Sequence, residues 1–305
     1  RLTDVTGVQT CALPIWLYVY SLFSGEFKEG WIPDNYFGTL VSPSIGFSQI
    51  SQFKTFSKVI LKTELLPDLG YFIDGLLYDQ NFLPIPLDNL VEKASSKTEQ
   101  IFLKRNASDK GKGLVKIDVN SISIDTLNDF GNCVIQMPIH QHPILEEINR
   151  SAVANIRITT VRNLEGKIEF RASHLNFGRQ GNQWVQANSF IQVPVMNLDG
   201  EFHPYGYSRN WNRFEKHPDS GITFAQKRIP KFREAVETCL RLHAAIPHFL
   251  IIGWDIAIND QEEIQLMEWN AGHIGINLDE AVNGPCFCGL NWERKFSTNR
   301  QPSVI

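Results

Sequence analysis

Residues 253–273, GWDIAINDQEEIQLMEWNAGH, constrain the fold more than any other part of this chain. The stretch reads as two apolar strands joined by a polar turn, the pattern of a hairpin. Asp255 falls in the first strand, Glu268 and Asn270 in the second. Residues two apart on a strand point to the same side, so Glu268 and Asn270 share a face. Buried together without a cation, the two carboxylates would repel each other and resist desolvation. Two carboxylates and an amide oxygen are hard donors of the kind Mg²⁺ accepts when phosphates and water complete its octahedron. The competing explanation is structural: the acids pair with Arg157 or Arg171.

The surrounding sequence predicts how such a hairpin is housed. NIRITTVRN and IEFRASHLNF, joined by LEGK, read as strands, and NSFIQVPVMNLDGEF carries a hairpin signal at Asp199-Gly200. PKFREAVETCLRLHAAIP is the clearest helix, with Pro230 suited to its first turn and Phe232, Val236, Leu240 and Ala244 spaced to stack. Earlier, Phe53, Phe56, Ile60 and Leu61 have helical spacing before Pro67, and IFLKR, GLVKID and CVIQMPI read as short strands around the helix SIDTLNDF. Short strand pairs alternating with single helices predict an α+β fold arranged in lobes. The expected segments are 16–98 (an N-terminal region or truncated lobe), 99–140 (a small lobe), 141–290 (a large lobe) and 291–305 (a tail).

Composition narrows the function. With 43% hydrophobic and 20% charged residues, the 305-residue chain has a globular profile. Its net charge of -4 argues against a nucleic-acid binder held by a general basic surface. Five scattered cysteines, with one C-x-C at Cys286 and Cys288, favour reduced thiols and a cytoplasmic setting over a disulfide frame or a zinc site. CALPIWLYVYSLF is apolar but too short and interrupted to span a bilayer. VTGVQTCALPI resembles a translated sequencing-library adapter, so residues 1–15 are expected to be foreign to the protein and carry no functional argument.

Two further stretches bear on chemistry. In FLKRNASDKGKGLVKI, Lys104 enters a loop holding Ser108, Lys110, Gly111, Lys112 and Gly113. Glycines let backbone N–H groups converge on an anion, and the lysines add charge, so the loop suits a phosphate cover; a solvent-exposed hairpin tip has the same composition. In CVIQMPIHQHP, the break at Pro138 frees backbone groups that suit an adenine edge, or else marks an edge strand stopped by proline. His140 and His142 lack a third ligand at sensible spacing and read as surface histidines.

The order and spacing of these elements resemble the ATP-grasp superfamily, especially its sugar-transfer-associated subgroup, over residues 53–277. The resemblance to D-alanine–D-alanine ligases implies individual roles. In FKTFSK, Lys58 would reach the nucleotide phosphates. Lys104 would be the second ATP lysine, followed by the phosphate-covering loop with Ser108, Gly111 and Gly113. Gln136, where an acid often meets the adenine amino group, would form the hinge with Met137 and Ile139 supplying backbone contacts. Asp255, Glu268 and Asn270 would hold Mg²⁺, and Arg157 and Arg171 would be the arginines that stabilise phosphate or intermediate. There are departures: residues 190–193 read FIQV where a glycine pair is common, which weakens Asn188 as a ligand, and Gln136 replaces the acid. The resemblance implies ATP and Mg²⁺ as cofactors and a ligase that joins a small-molecule or saccharide-linked carboxylate to an acceptor in polysaccharide or cell-envelope biosynthesis. A hydroxyl-phosphorylating kinase and a nucleotide-binding protein without turnover are the alternatives.

Overall fold

The computed structural model describes residues 13–41, 48–108, 113–185, 189–272 and 274–292. Two antiparallel sheets face each other across a cleft, each with its own hydrophobic core. The expectation of an α+β arrangement in lobes is met.

The smaller sheet contains β1 (Asp68–Ile73), β2 (Leu76–Asp79), β3 (Gln100–Arg105), β4 (Leu114–Asp118) and β5 (Cys133–Gln136) in the order β2-β1-β5-β3-β4. Two of its strands come from the segment 16–98, so the sheet reaches well upstream of residue 99. β5 lies between β1 and β3 and all four of its residues are buried. CVIQ is therefore a central strand, and the edge-strand explanation of Pro138 fails. Proline is tolerated there because it stands just beyond the last ladder residue.

The larger sheet runs β10-β9-β8-β7-β6-β11-β12. Its strands are β6 (Asn155–Arg162), β7 (Ile168–Phe177), β8 (Ile191–Pro194), β9 (Gly206–Ser208), β10 (Arg213–Phe214), β11 (Ile251–Ile258) and β12 (Ile264–Asn270). Every residue of β11 is buried, which explains its near-continuous apolar sequence IIGWDIAI and makes Asp255 conspicuous. The Asp199-Gly200 turn is present, closed by Met196 N–H donating to Glu201 O at 2.9 Å.

The helix Phe232–Ala245 covers the face of this sheet away from the cleft. Its buried residues are Phe232, Ala235, Val236, Thr238, Cys239, Leu242 and His243, whereas Leu240 is half-buried and Ala244 exposed. A step of four residues overshoots a full turn, so the i, i+4 seam expected from sequence rotates out of the core after Val236. Pro230 stands just outside the helix, whose N-cap is Lys231. Inside, Trp254 Nε1 donates to Thr160 Oγ1 at 2.8 Å, and that hydroxyl lies 2.7 Å from His243 Nδ1. Burial pushes His243 down to about 4, so it stays neutral and ties helix to sheet.

The helix Leu13–Ser24 and the segment that follows it pack on the helix Asn277–Asn283. Residues 1–12 lie outside the described residues, and Leu13 opens the first of these two helices. Glu280 pins the contact: its Oε2 accepts Ile32 N–H at 2.7 Å and its Oε1 accepts Phe287 N–H at 3.2 Å. Burial nevertheless pushes its carboxyl up to about 8.

Candidate active site

The cleft between the sheets holds a cavity of about 770 Å³, within the range of nucleotide and cofactor sites. Its floor is set by strand register. Glu268 on β12 is directly opposite Asp255 on β11, Asp255 is opposite Arg157 on β6, and Arg157 is opposite His174 on β7. The four side chains form one row across four strands and all line the cavity. Gly253 pairs with Asn270 in the adjoining row, so Asp255, Glu268 and Asn270 do share a face.

The acids are balanced by cations. Arg157 grips Asp255 with Nε–Oδ1 at 2.6 Å and Nη2–Oδ2 at 3.2 Å, and its Nη1 donates to Ile274 O at 3.1 Å. Burial opposes the charge on Arg157, but Asp255 outweighs it and holds the guanidinium above its usual range. Asn270 Nδ2 donates to Asp255 Oδ2 at 3.2 Å. The structural pairing of Asp255 with Arg157 is thus realised on the same face that presents the residues expected as magnesium donors. Gly253 permits it: a Cβ there would come within 3.0 Å of Arg157 Nη1 and of Ile274 Cγ2.

Lys104 bridges the lobes. Between Asp255 and Ile256 the register slips, leaving Met267 as the extra residue on β12. The Met267 carbonyl accepts Lys104 Nζ at 3.1 Å from the opposite sheet. Burial pulls the Lys104 ammonium down, while Glu268 and Asp68 work to keep it charged.

The other sequence-derived residues divide clearly. Ser108 and Gly113 line the cavity and close the neck of the lysine-rich loop. Gly113 is required for space, since a Cβ there would collide with the Ser108 side chain. Gly111 lies outside the described residues, as do Lys110, Lys112 and Asn188. Gln136, Met137 and Ile139 line the cavity as expected. Met137 has already given its backbone N–H to Pro67 O at 2.8 Å, so it offers a ligand its carbonyl and side chain rather than that donor. His142 caps the helix Pro143–Ile148 by accepting Ile144 N–H at Nδ1.

Two placements differ from expectation. Lys58 does not line the cavity: its Nζ is 2.6 Å from Glu64 Oε2. Lys54 faces the cleft instead, with Nζ 3.4 Å from Glu268 Oε1 and 3.2 Å from Ser108 O. The change from a 3₁₀ turn at Lys54–Phe56 to an α-helix at Ser57–Leu61 turns the two lysines onto different faces. Arg171 is likewise remote. It is the extra residue of a bulge on β7, because Thr159 pairs with Ala172 and Thr160 with Phe170. Its guanidinium meets Glu169 Oε2 at 2.5 Å and Cys288 O at 3.1 Å, holding down the C-terminal segment.

Sequence reasoning also missed two acids. Asp68 on β1 is buried and accepts Gln136 Nε2 at 2.6 Å and the Tyr71 hydroxyl at 2.7 Å. An acid therefore does stand beside the hinge, supplied by the neighbouring strand. Burial raises the Asp68 carboxyl, against the pull of those two donors. Asp279 meets His174, as described below. The signal for His174 was only partial: polar residues at 174 and 176 share a strand face, as Glu268 and Asn270 do, but Glu169, Arg171 and Ser173 make the rest of the strand polar too.

The donor set fits a magnesium ion. Asp255 and Glu268 are opposed oxygen donors at one end of the row, with Asn270 beside them. Among the described residues there is no cluster of three or more His, Cys, Asp or Glu side chains, so phosphate oxygens and water would have to complete the shell. Lys54, Lys104 and Arg157 against Asp255 and Glu268 leave the cavity floor suited to a polyanion.

Residues 94–293 match the model of the family described as sugar-transfer associated ATP-grasp. No curated protein matches the chain in sequence. Among solved structures, the chain is similar to the biotin carboxylase domain of Hydrogenobacter thermophilus 2-oxoglutarate carboxylase, determined with MgADP, ADP and bicarbonate. That match has a TM-score of 0.51 and 12% identity over 84% of this chain and 47% of that one. Biotin carboxylase from Campylobacter jejuni, in a β-γ-ATP complex, gives 0.44 and 12% over 82% and 48%. The ATP-grasp ligase PsnB with its minimal precursor gives 0.44 and 10% over 79% and 60%. The chain spans about half the length of the biotin carboxylase structures it matches. At these identities the likeness speaks to the fold alone, which is that of ATP-grasp proteins.

Proposed function

Because this chain belongs to the sugar-transfer associated ATP-grasp family, we propose that it is an ATP- and magnesium-dependent ligase that activates a carboxylate for transfer to an amine. The carrying observation is the register-fixed row of Glu268, Asp255 and Arg157 facing Lys104 across the cleft. The substrate carboxylate attacks the γ-phosphate of ATP to give an acyl phosphate and ADP, and the acceptor then displaces phosphate. Asp255, Glu268 and Asn270 would hold Mg²⁺, which when bound neutralises phosphate charge. Positioning and charge neutralisation dominate phosphoryl transfer. Lys104 and Lys54 supply fixed positive charge from the small-sheet side of the cavity. Arg157, which keeps N–H donors beyond those given to Asp255 and Ile274, would stabilise the oxyanion of the acyl intermediate, a contribution worth about a hundredfold or more in rate. Lys104 also excludes solvent by closing one lobe onto the other. Gln136, Met137 and Ile139 form the adenine end. The family description supports a role in decorating a saccharide or envelope polymer, and the free cysteines Cys133, Cys239, Cys286 and Cys288 suit a cytoplasmic reaction.

Hydroxylamine tests this reading. Incubated with Mg-ATP and a pool of small carboxylic and amino acids, the protein is expected to release ADP and form a hydroxamate. A stable phosphoester without hydroxamate would show a kinase instead. The grip of Arg157 on Asp255 favours a second reading, nucleotide binding without turnover; calorimetric Mg-ATP binding with no ADP release in any pool would establish it.

A further inference from the structure

Beyond the ATP end of the row lies a histidine held by a buried acid. His174 Nδ1 is 3.2 Å and 3.1 Å from the two carboxylate oxygens of Asp279, on the helix Asn277–Asn283. His174 is 5% exposed and Asp279 only 1%. Asp279 accepts a hydrogen bond from Nδ1–H, which fixes the tautomer and leaves the lone pair on Nε2. No described residue bonds to Nε2, and His174 lines the cavity. A carboxylate fixing one ring nitrogen while the other faces open space is the arrangement of an oriented general base.

Its position assigns the step. His174 is the next residue along the row from Arg157 and the second from Asp255, roughly 10 Å from that carboxylate at ordinary strand spacing. It is thus too far to be a ligand of the same metal ion. The strand row beside it is neutral and polar: Asn155, Asn176 and Gln192 are in register, and Gln192 Nε2 donates to Asn176 Oδ1 at 3.0 Å. Asp279 is the ion-pair partner of the ring, and Arg157, its neighbour in the row, is bonded to Asp255 and Ile274.

We propose that His174, positioned by Asp279, is the general base of the acceptor half-reaction and that the acceptor amine binds over Asn155, Asn176 and Gln192. The inference rests on the ligase reading above. As the amine nitrogen forms its bond to the acyl carbon, its proton passes to His174 Nε2. The carbon–oxygen bond to phosphate breaks, and phosphate leaves with the electron pair. Asp279 keeps its charge throughout and stabilises the imidazolium.

The test compares two nucleophiles on the same acyl phosphate. Hydroxylamine is largely unprotonated at neutral pH and needs no base, whereas methylamine is almost wholly protonated. With the carboxylate pool and Mg-ATP, His174→Gln is expected to lower the ratio of methylamide to hydroxamate about 100-fold, the usual scale of general-base assistance. It should also abolish the imidazole limb of the pH profile for amide formation. Asp279→Asn should shift that limb and lower the ratio less. The double variant His174→Gln/Asp279→Asn replaces the buried pair by two neutral amides, so a folded comparison remains if a single variant is unstable. An unchanged ratio, or an unchanged pH limb, would overturn the assignment, as would acid-labile phosphate on His174 during turnover. Absence of hydroxamate from the unaltered protein would overturn the ligase reading and this inference with it, whereas a hydroxamate-forming protein with an unchanged ratio in His174→Gln overturns only the inference.

Discussion

Glu268→Gln separates the proposed metal role from the structural role of the acid row. Glu268 has a side chain 32% exposed and its ion-pair partner, Lys54 Nζ, stands at 3.4 Å. The Lys54 side chain is only 11% exposed, but the carboxylate end is partly screened by solvent and the contact is long, so the pair contributes on the order of 1 kcal/mol to stability. Glutamine keeps the shape and an acceptor oxygen, so Tm should fall by no more than about 4 °C. The catalytic loss is of another order. The substituted amide would offer one neutral oxygen where a carboxylate stood opposite Asp255, and the site would hold its metal and phosphate charge with a single acid. Loss of one such electrostatic group costs about 10²–10³ in rate. The assay is ADP release with saturating Mg-ATP and the carboxylate pool, alongside calorimetric Tm and a magnesium titration. Turnover within about threefold of the unaltered protein, with unchanged magnesium dependence, would refute the metal assignment. A Tm drop of more than about 10 °C would show that Glu268 is instead a structural partner of Lys54 and Lys104.

Two contrasting predictions follow from burial. Asp255→Asn leaves Arg157 without its bidentate partner in a buried site, and breaking such a pair costs about 3–5 kcal/mol; urea denaturation should show that loss even without nucleotide. Glu280 carries a carboxyl raised to about 8 from 4.5. Between those values the folded state binds more protons than the unfolded one, so stability is greatest at and below pH 4.5 as far as this group is concerned, and falls as pH rises through about 8. The full span is roughly 5 kcal/mol. Urea midpoints measured across that window should lose this limb in Glu280→Gln.

The shared face of the hairpin's oxygen-bearing residues was legible because its information is local. Side chains alternate along a strand, so the positions of Asp255, Glu268 and Asn270 dictated a shared face before any fold was known. The α+β lobes and the loop of Lys104, Ser108 and Gly113 were read the same way, from strands and breaks, whereas Gln136, Met137 and Ile139, which also line the cavity, were named from the resemblance. The choice between Lys54 and Lys58 was not legible, because a 3₁₀ turn running into an α-helix has no single period to extrapolate. Arg171 was assigned from the resemblance rather than from its strand, on which it falls one residue out of step with Ala172 and His174 and becomes the extra residue of a bulge.

What the sequence by itself determined is thus which residues lie together on one strand or one hairpin. The tertiary structure alone decided which strands of different hairpins stand side by side. It put Arg157 against Asp255 across 98 residues and Asp279 against His174 across 105. It also set Asp68 beside Gln136 across 68. Each of these is a contact between strands or between a strand and a distant helix, fixed by sheet order and by the burial that makes an unpaired charge too costly to leave alone.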